Sequence, residues 1–267
     1  MRDLKFTYGI IIMAITLLAY PSCQKVIDLK TDSAPPQIVI EGNLTDEYGD
    51  QEVVISKSVP FTSTNTFPPV TGATVFFTDS TGRNYPLPEV APGTYRITPF
   101  FGKHGRTYSL TVTTGGITYT ATSTMPQLVP LDSVTAKINS FGKSDLRTIT
   151  VNYQDPADEV NQYRYVLFIN GHQAGTIFAD DDSFTNGRYV KRDLFQNGTD
   201  IHHNDTATVE FQCIDKNMFK YWFSLEQQQG NAPGGGTAPS NPPSNFNNNA
   251  LGYFSAHTTE VKSIIVN

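Results

Sequence analysis

This 267-residue sequence is poor in cysteine, tryptophan and charge, with two Cys, one Trp and 16% Asp, Glu, Lys and Arg together. Two cysteines, Cys23 and Cys213, cannot build a disulfide-stapled scaffold, so the fold must rest on its own apolar core. Long runs of Ala, Leu, Glu and Lys are missing, which argues against a helical protein. Thr, Ser and Asn are abundant beside 13 Tyr and 17 Phe, a mixture that packs well on a pleated surface. The sequence also lacks a His-Glu-x-x-His pair, a Gly-x-Ser-x-Gly elbow, a phosphate loop and a Gly-x-Gly-x-x-Gly turn. No catalytic, cofactor-binding or metal-ligating residue is therefore assigned.

The one sustained apolar run, Phe6 to Ala19, follows a short basic start at Arg2 and Lys5. Fourteen helical residues reach roughly 21 Å, short of a bilayer core of about 30 Å, so the run reads as a cleaved signal rather than a span. It ends Leu17-Leu18-Ala19-Tyr20-Pro21-Ser22-Cys23, which resembles a bacterial lipoprotein signal. Ser22 fills the small position before the cysteine, whereas Tyr20 departs from the usual aliphatic residue. The expectation is a signal peptide over 1–22 and fatty acyl (palmitate-type) attachment at Cys23. Two or three acyl chains anchor firmly, at about 0.8 kcal/mol for each buried CH₂. Losing the leader takes the count from 19 basic and 25 acidic residues to 17 and 24, a formal charge of −7. No basic stripe remains for a phosphate backbone, which excludes nucleic acid as a partner.

Residues 23–36 read as a tether. From 37 to 125 short strands recur between turn signals: Ile38–Ile40, Val53–Ile55, Thr74–Phe77 and Tyr95–Ile97. Thr107–Thr113 and Ile117–Thr122 both alternate with period two, and Gly115-Gly116 between them supplies the positive φ angles of a tight hairpin. About six strands with one hydrated face each make a β-sandwich. Met125-Pro126 to Pro130-Leu131 marks a boundary, since proline interrupts ladder pairing. A second β-rich domain is expected over 131–267, with strands at Val134–Ile138, Ile149–Tyr153 and Tyr163–Ile169, the last ended by an Asn170-Gly171 hairpin. One short helix should start after Asp215, a good N-cap, with Met218, Tyr221, Trp222 and Leu225 on one face. Cys213 shares the apolar parity of Val209 and Phe211 and reads as core.

Residues 227–249 have no charge and many Gln, Asn, Gly and Pro. They read as an internal excursion between packed elements, either a partner-contact loop or a plain connection. Three clusters are weak site candidates. Asp180-Asp181-Asp182 offers oxygen ligands without EF-hand spacing. His202-His203 with Asp205 could hold zinc only if adjacent side chains shared a face. Asp155, Asp158 and Glu159 could pair as glycosidase carboxylates, yet surface loops commonly carry such groups. Asn43, Asn197 and Asn204 head glycosylation sequons that carry little weight in a bacterial lipoprotein.

The mature chain resembles a lipoprotein family of Bacteroidota catalogued as domain of unknown function four-two-four-nine. The resemblance is carried by Cys23–Asp28, Ile38–Leu44, Gly72–Val75, Gly93–Tyr95, Gly105–Leu110 and Tyr119–Thr122. Leu225–Gln228, Pro243–Asn245 and Leu251–Phe254 complete it. It implies an outer-membrane lipoprotein whose first domain is an immunoglobulin-like or transthyretin-like sandwich, encoded beside a TonB-dependent transporter. Gln24-Lys25-Val26-Ile27 precede Asp28 where a surface-export signal would place acids, so the side of the membrane stays open. The resulting expectation is a non-enzymatic accessory or ligand-binding partner of that transporter. A cell-surface adhesion or structural module is the alternative, and a hydrolase without recognisable motif a third.

Overall fold

A computed structural model describes residues 35–60, 63, 66–139, 145–196, 198–229 and 240–267. Cys23 and the leader lie outside the described residues. The described chain is mainly β, with several sheets and a single helix.

The first half contains β1 (Ile38–Thr45), β2 (Gly49–Lys57), β3 (Thr74–Asp79), β4 (Asn84–Pro86) and β5 (Glu89–Ala91). It continues with β6 (Thr94–Phe100), β7 (Thr107–Thr114) and β8 (Ile117–Thr124). Strands β4-β3-β7-β8 form a four-stranded sheet. Its tightest connection is the expected one: Thr114 pairs with Ile117 across Gly115 (φ 57°) and Gly116 (φ 78°). Both angles are left-handed, so the two-residue turn follows the twist of the strands. Tyr108, Leu110 and Val112 point inward from β7, while Thr107 is exposed and Ser109, Thr111 and Thr113 are half-buried.

The second half contains β9 (Leu131–Ile138), β10 (Arg147–Gln154), β11 (Gln162–Ile169), β12 (His172–Gln173) and β13 (Phe178–Asp181). β14 (Tyr189–Leu194), β15 (Thr206–Cys213), helix α1 (Lys216–Gln229) and β16 (Leu251–Ile265) follow. A three-stranded sheet runs β14-β10-β9. Asn170-Gly171 turns β11 into β12, and Asp215 caps α1 by accepting from the backbone N–H groups of Asn217 and Met218 at 2.8 and 3.0 Å. Asp215 also receives Ser123 Oγ and Thr124 N from the end of β8, which fixes the helix start to the first half.

Fifteen-residue β16 joins the halves. Its first part pairs in parallel with β1, from Val39 opposite Leu251 to Thr45 opposite His257. Its second part pairs antiparallel with β15, from Cys213 opposite Thr258 to Thr206 opposite Ile265. The result is a nine-stranded sheet in the order β12-β11-β15-β16-β1-β2-β6-β5, with β13 also on β11. Residues 36–267 form one compact unit, a linkage that the sequence boundaries 37–125 and 131–267 do not express. From β16, Phe254 and Ala256 enter the core of the first half, while Ile264, with Val266 just past the strand, packs in the core of the second. The four- and three-stranded sheets therefore cover the same face of the long sheet, side by side. Helix α1 packs Met218, Tyr221 and Trp222 on the opposite face, against Tyr253 of β16. There Arg164 of β11 lies over the Trp222 ring, 3.6 Å from its centroid.

Of the segment read as a loop over 227–249, residues 227–229 and 240–249 are more ordered than their composition suggests. The helix runs through Gln229, whose amide bonds Ile177 N and Gly175 O. Residues Asn245–Asn248 lie along β8, while Ser240 N bonds Gln228 of the helix. Asn247 exchanges two bonds with Thr120, through its backbone N–H and its side-chain oxygen, as a strand neighbour would. Asn245 donates to Thr122 O and Phe254 O and accepts from Phe254 N, and Asn248 donates to Thr118 O. Phe246 between them enters the first core. The Asn run thus closes the free edge of β8, which would otherwise template pairing with another chain. Residues 230–239 of that segment lie outside the described residues.

Candidate functional site

The first half leaves an open cleft of about 360 Å³ at one end of its sandwich. Three connections build it. The β3–β4 turn, Asp79 to Arg83, is set by the Asp79 carboxylate, whose Oδ1 accepts from Thr81 N at 2.9 Å in an Asx-type turn. The β6–β7 connection supplies Phe101, Lys103 and Arg106. Its path is pinned where Gly102 N donates to Thr45 O at 2.7 Å and Lys103 N to the Tyr108 hydroxyl at 2.8 Å. The β1–β2 turn contributes Tyr48.

Asp79 is the cleft's anion, and its charge is already used. Oδ2 accepts from Tyr85 Oη and Arg106 Nη1, both at 2.9 Å. Oδ1 also accepts from the Thr81 hydroxyl and from Arg83 N at 3.2 Å. The Thr81 hydroxyl first, with Tyr85 and the backbone N–H groups of Thr81 and Arg83, holds this carboxyl well below the usual carboxylate range, against the opposing effect of burial. Burial first, then Asp79, pushes the Tyr85 phenol up. Arg83 and Lys103 are exposed and have no carboxylate partner among the described residues. The Arg83 guanidinium lies 5.2 Å from the centroid of Tyr85, which packs in turn on Phe100 at 4.6 Å. Tyr48 and Phe101 pair at 6.0 Å while staying 74% and 42% exposed. The wall is aromatic and the rim cationic. Such a site can hold a ligand without chemistry of its own.

The family model described as "Domain of unknown function (DUF4249)" matches residues 24–263. The chain belongs to this family. Among curated proteins none matches it. A solved structure of a pullulanase with maltotriose, from Anoxybacillus sp. LM18-11, is similar over 65% of this chain and 24% of that one, at 12% identity and a TM-score of 0.22. The chain spans about a quarter of that protein's length, and so slight a likeness transfers neither fold nor function.

In this DUF4249 chain the three weak clusters do not assemble. Asp180 pairs with Arg192 Nε at 2.6 Å, Asp181 accepts from Ser183 N, and Asp182 is buried under Asn161 N at 2.7 Å. The three carboxylates diverge because they straddle the end of β13 and the turn after it. His202 and His203 stand on a turn rather than a strand, where Asp205 accepts from His202 N. Asp155 is buried between Tyr163 Oη and Gly187 N, whereas Asp158 and Glu159 are exposed. No group of three metal-binding side chains occurs among the described residues. Cys213 is buried beside Val209 and Phe211, and burial pushes its thiol up to about 11. Of the sequon asparagines, Asn43 is half-buried on β1 and Asn204 sits on a turn with φ 72°. Asn197 lies outside the described residues.

Sequence reasoning missed the cleft, since its residues come from three separated connections. Two signals were present: the Asp79-Ser80-Thr81-Gly82-Arg83 turn and the Phe100-Phe101 pair followed by Lys103. Arg106 and Tyr108 fell within the stretch that carried the family resemblance.

Proposed function

We propose that this protein is a lipid-anchored, non-catalytic binding module of the outer membrane that serves a TonB-dependent transporter. The observation that carries the reading is the cleft: exposed aromatic rings and cations without carboxylate partners among the described residues, with the lining carboxylate Asp79 already bound by Thr81, Tyr85 and Arg106. Holding groups rigid and open favours binding, because little ordering entropy is lost when a ligand arrives. The signal-like leader ending at Cys23 supports tethering, and residues 24–36 would give the module reach from the bilayer.

Affinity purification of the lipid-bearing protein from gently solubilised membranes tests the proposal. An outer-membrane transporter should co-purify, and Cys23→Ser should move folded protein to the soluble fraction. Recovery of cell-surface structural proteins instead of a transporter would support the adhesion alternative. A Cys23→Ser protein that still sediments after a carbonate wash would refute lipid anchoring.

A further inference from the structure

We infer that the cleft takes a small anion carried on a ring, a ring carboxylate or ring phosphate, with its acid on Arg83 and Lys103 and its ring on Phe101 and Tyr48. This rests on the reading of the protein as a binding module and names its ligand class. The first support is local charge. Of the nearby acids, Asp79 is engaged by Arg106, Asp46 by His104 at 2.8 Å and Thr259 N at 2.9 Å, and Asp50 and Glu52 by Arg96, while Glu47 beside Tyr48 is exposed. Arg83 and Lys103 are left as a positive rim on a chain of formal charge −6. A cation would be repelled there, and a neutral ligand would leave both groups unused. An anion gains charge-assisted hydrogen bonds, and the guanidinium fork fits carboxylate and phosphate alike.

The second support is the uncovered aromatic surface. Tyr48 keeps 74% and Phe101 42% of its surface in water, although apolar area normally gains from leaving it. Their planes are tilted by 56°, so they offer a concave corner rather than one flat platform. A volume of about 360 Å³ lies at the small end of ligand pockets, enough for one or two rings and too little for a long chain. The Arg83 guanidinium is held over Tyr85, and the Lys103 backbone, though not its exposed side chain, is fixed by its bond to Tyr108.

Calorimetric titration of the full chain carrying Cys23→Ser tests this with digalacturonate, glucose 6-phosphate and phenyl phosphate. Galactobiose, glucose and phenol serve as uncharged counterparts. At least one acid should bind saturably where its counterpart does not, and which acid binds separates a sugar source from an aromatic one. The double variant R83Q/K103Q, both sites being exposed, should keep the fold and weaken binding by roughly tenfold or more, the factor one charge-assisted contact supplies. Tyr48→Ala should weaken it through the ring alone. Binding of no acid, equal binding of a neutral counterpart, or undiminished affinity of the double variant would each overturn the inference. The titration contains no transporter. A silent cleft in a protein that still co-purifies with a transporter would sink the ligand class and leave the module reading standing. A responsive cleft without a transporter would do the reverse.

Discussion

The aromatic cluster of the second half and the cleft of the first use the same residue types to opposite ends. In the second half Tyr153, Tyr163, Tyr165 and Phe211 are all buried, with Phe211 4.8 to 5.5 Å from each of the three tyrosines. Their hydroxyls are spent inside, Tyr153 on Tyr165 at 2.8 Å and Tyr163 on Asp155. Arg192 is likewise spent on Asp180. In the first half Tyr48, Phe101, Arg83 and Lys103 remain open to water around a carboxylate that is already satisfied. Composition does not separate the halves. What differs is whether the aromatic and charged groups sit on strands facing a second sheet or on turns at the end of a sandwich. The second-half cluster holds its half together, and the first-half cleft keeps part of its surface unspent.

Because both halves hang on β16, the sharpest way to break the comparison is to damage that strand. Gly252 has φ 89°, and a Cβ there would lie 2.1 Å from the Ile40 carbonyl oxygen. Gly252→Val should cost more than about 3 kcal/mol, since both the backbone angle and the parallel pairing with β1 resist it. Trp222 fluorescence reports the second half and far-UV circular dichroism reports both. Coincident midpoints in urea would mark one cooperative unit. A variant that loses half its dichroism while the Trp222 transition stays in place would show two independent domains.

His257, buried on the same strand, gives the next largest effect. Its Nδ1 meets Ser255 Oγ at 2.9 Å. Burial first, then the Arg164 charge, push its pKa down to about 4 from 6.5, with Asp46 opposing. A depressed histidine is neutral in the fold, so the unfolded chain binds more protons between those values. Stability is therefore full above pH 6.5 and falls as the pH drops through the window to about 4, by on the order of 3 kcal/mol. Urea midpoints at pH 7.5, 5.5 and 4.5 should show the decline, and His257→Asn should flatten it. An equally steep decline in the variant would assign acid sensitivity to the carboxylates instead.

The smallest effect sharpens the difference between the halves. Asn247→Ala removes the side-chain bond to Thr120 N and should cost about 1–2 kcal/mol by leaving the β8 edge partly unpaired. The variant should also associate at high concentration, detectable by light scattering, because an open strand edge recruits other chains. Replacing 230–239 with a Gly/Ser linker should do neither, since Asn245, Asn247 and Asn248 stay in place. An Asn247→Ala protein with wild-type stability and scattering would show that the Asn run is no edge cap.

Local order in this chain was legible where one residue type allows one backbone. The Gly115-Gly116 and Asn170-Gly171 turns, the Asp215 cap and the Met218–Leu225 face all follow from short-range sterics and hydrogen bonding. The period-two runs told which strand face is buried, as Tyr108, Leu110 and Val112 show. The sequence thus determined a mainly β protein with one helix. Tertiary structure alone decided the rest. A strand's alternation says nothing about its neighbour, so the pairing of β16 with β1, more than two hundred residues apart, could not be read. The Asn-rich stretch looked like solvated chain because amides that cap an edge and amides that bind water have the same composition. The cleft was hidden for the same reason: Tyr48, Arg83 and Lys103 are unremarkable turn residues until three turns are brought to one end of one sandwich.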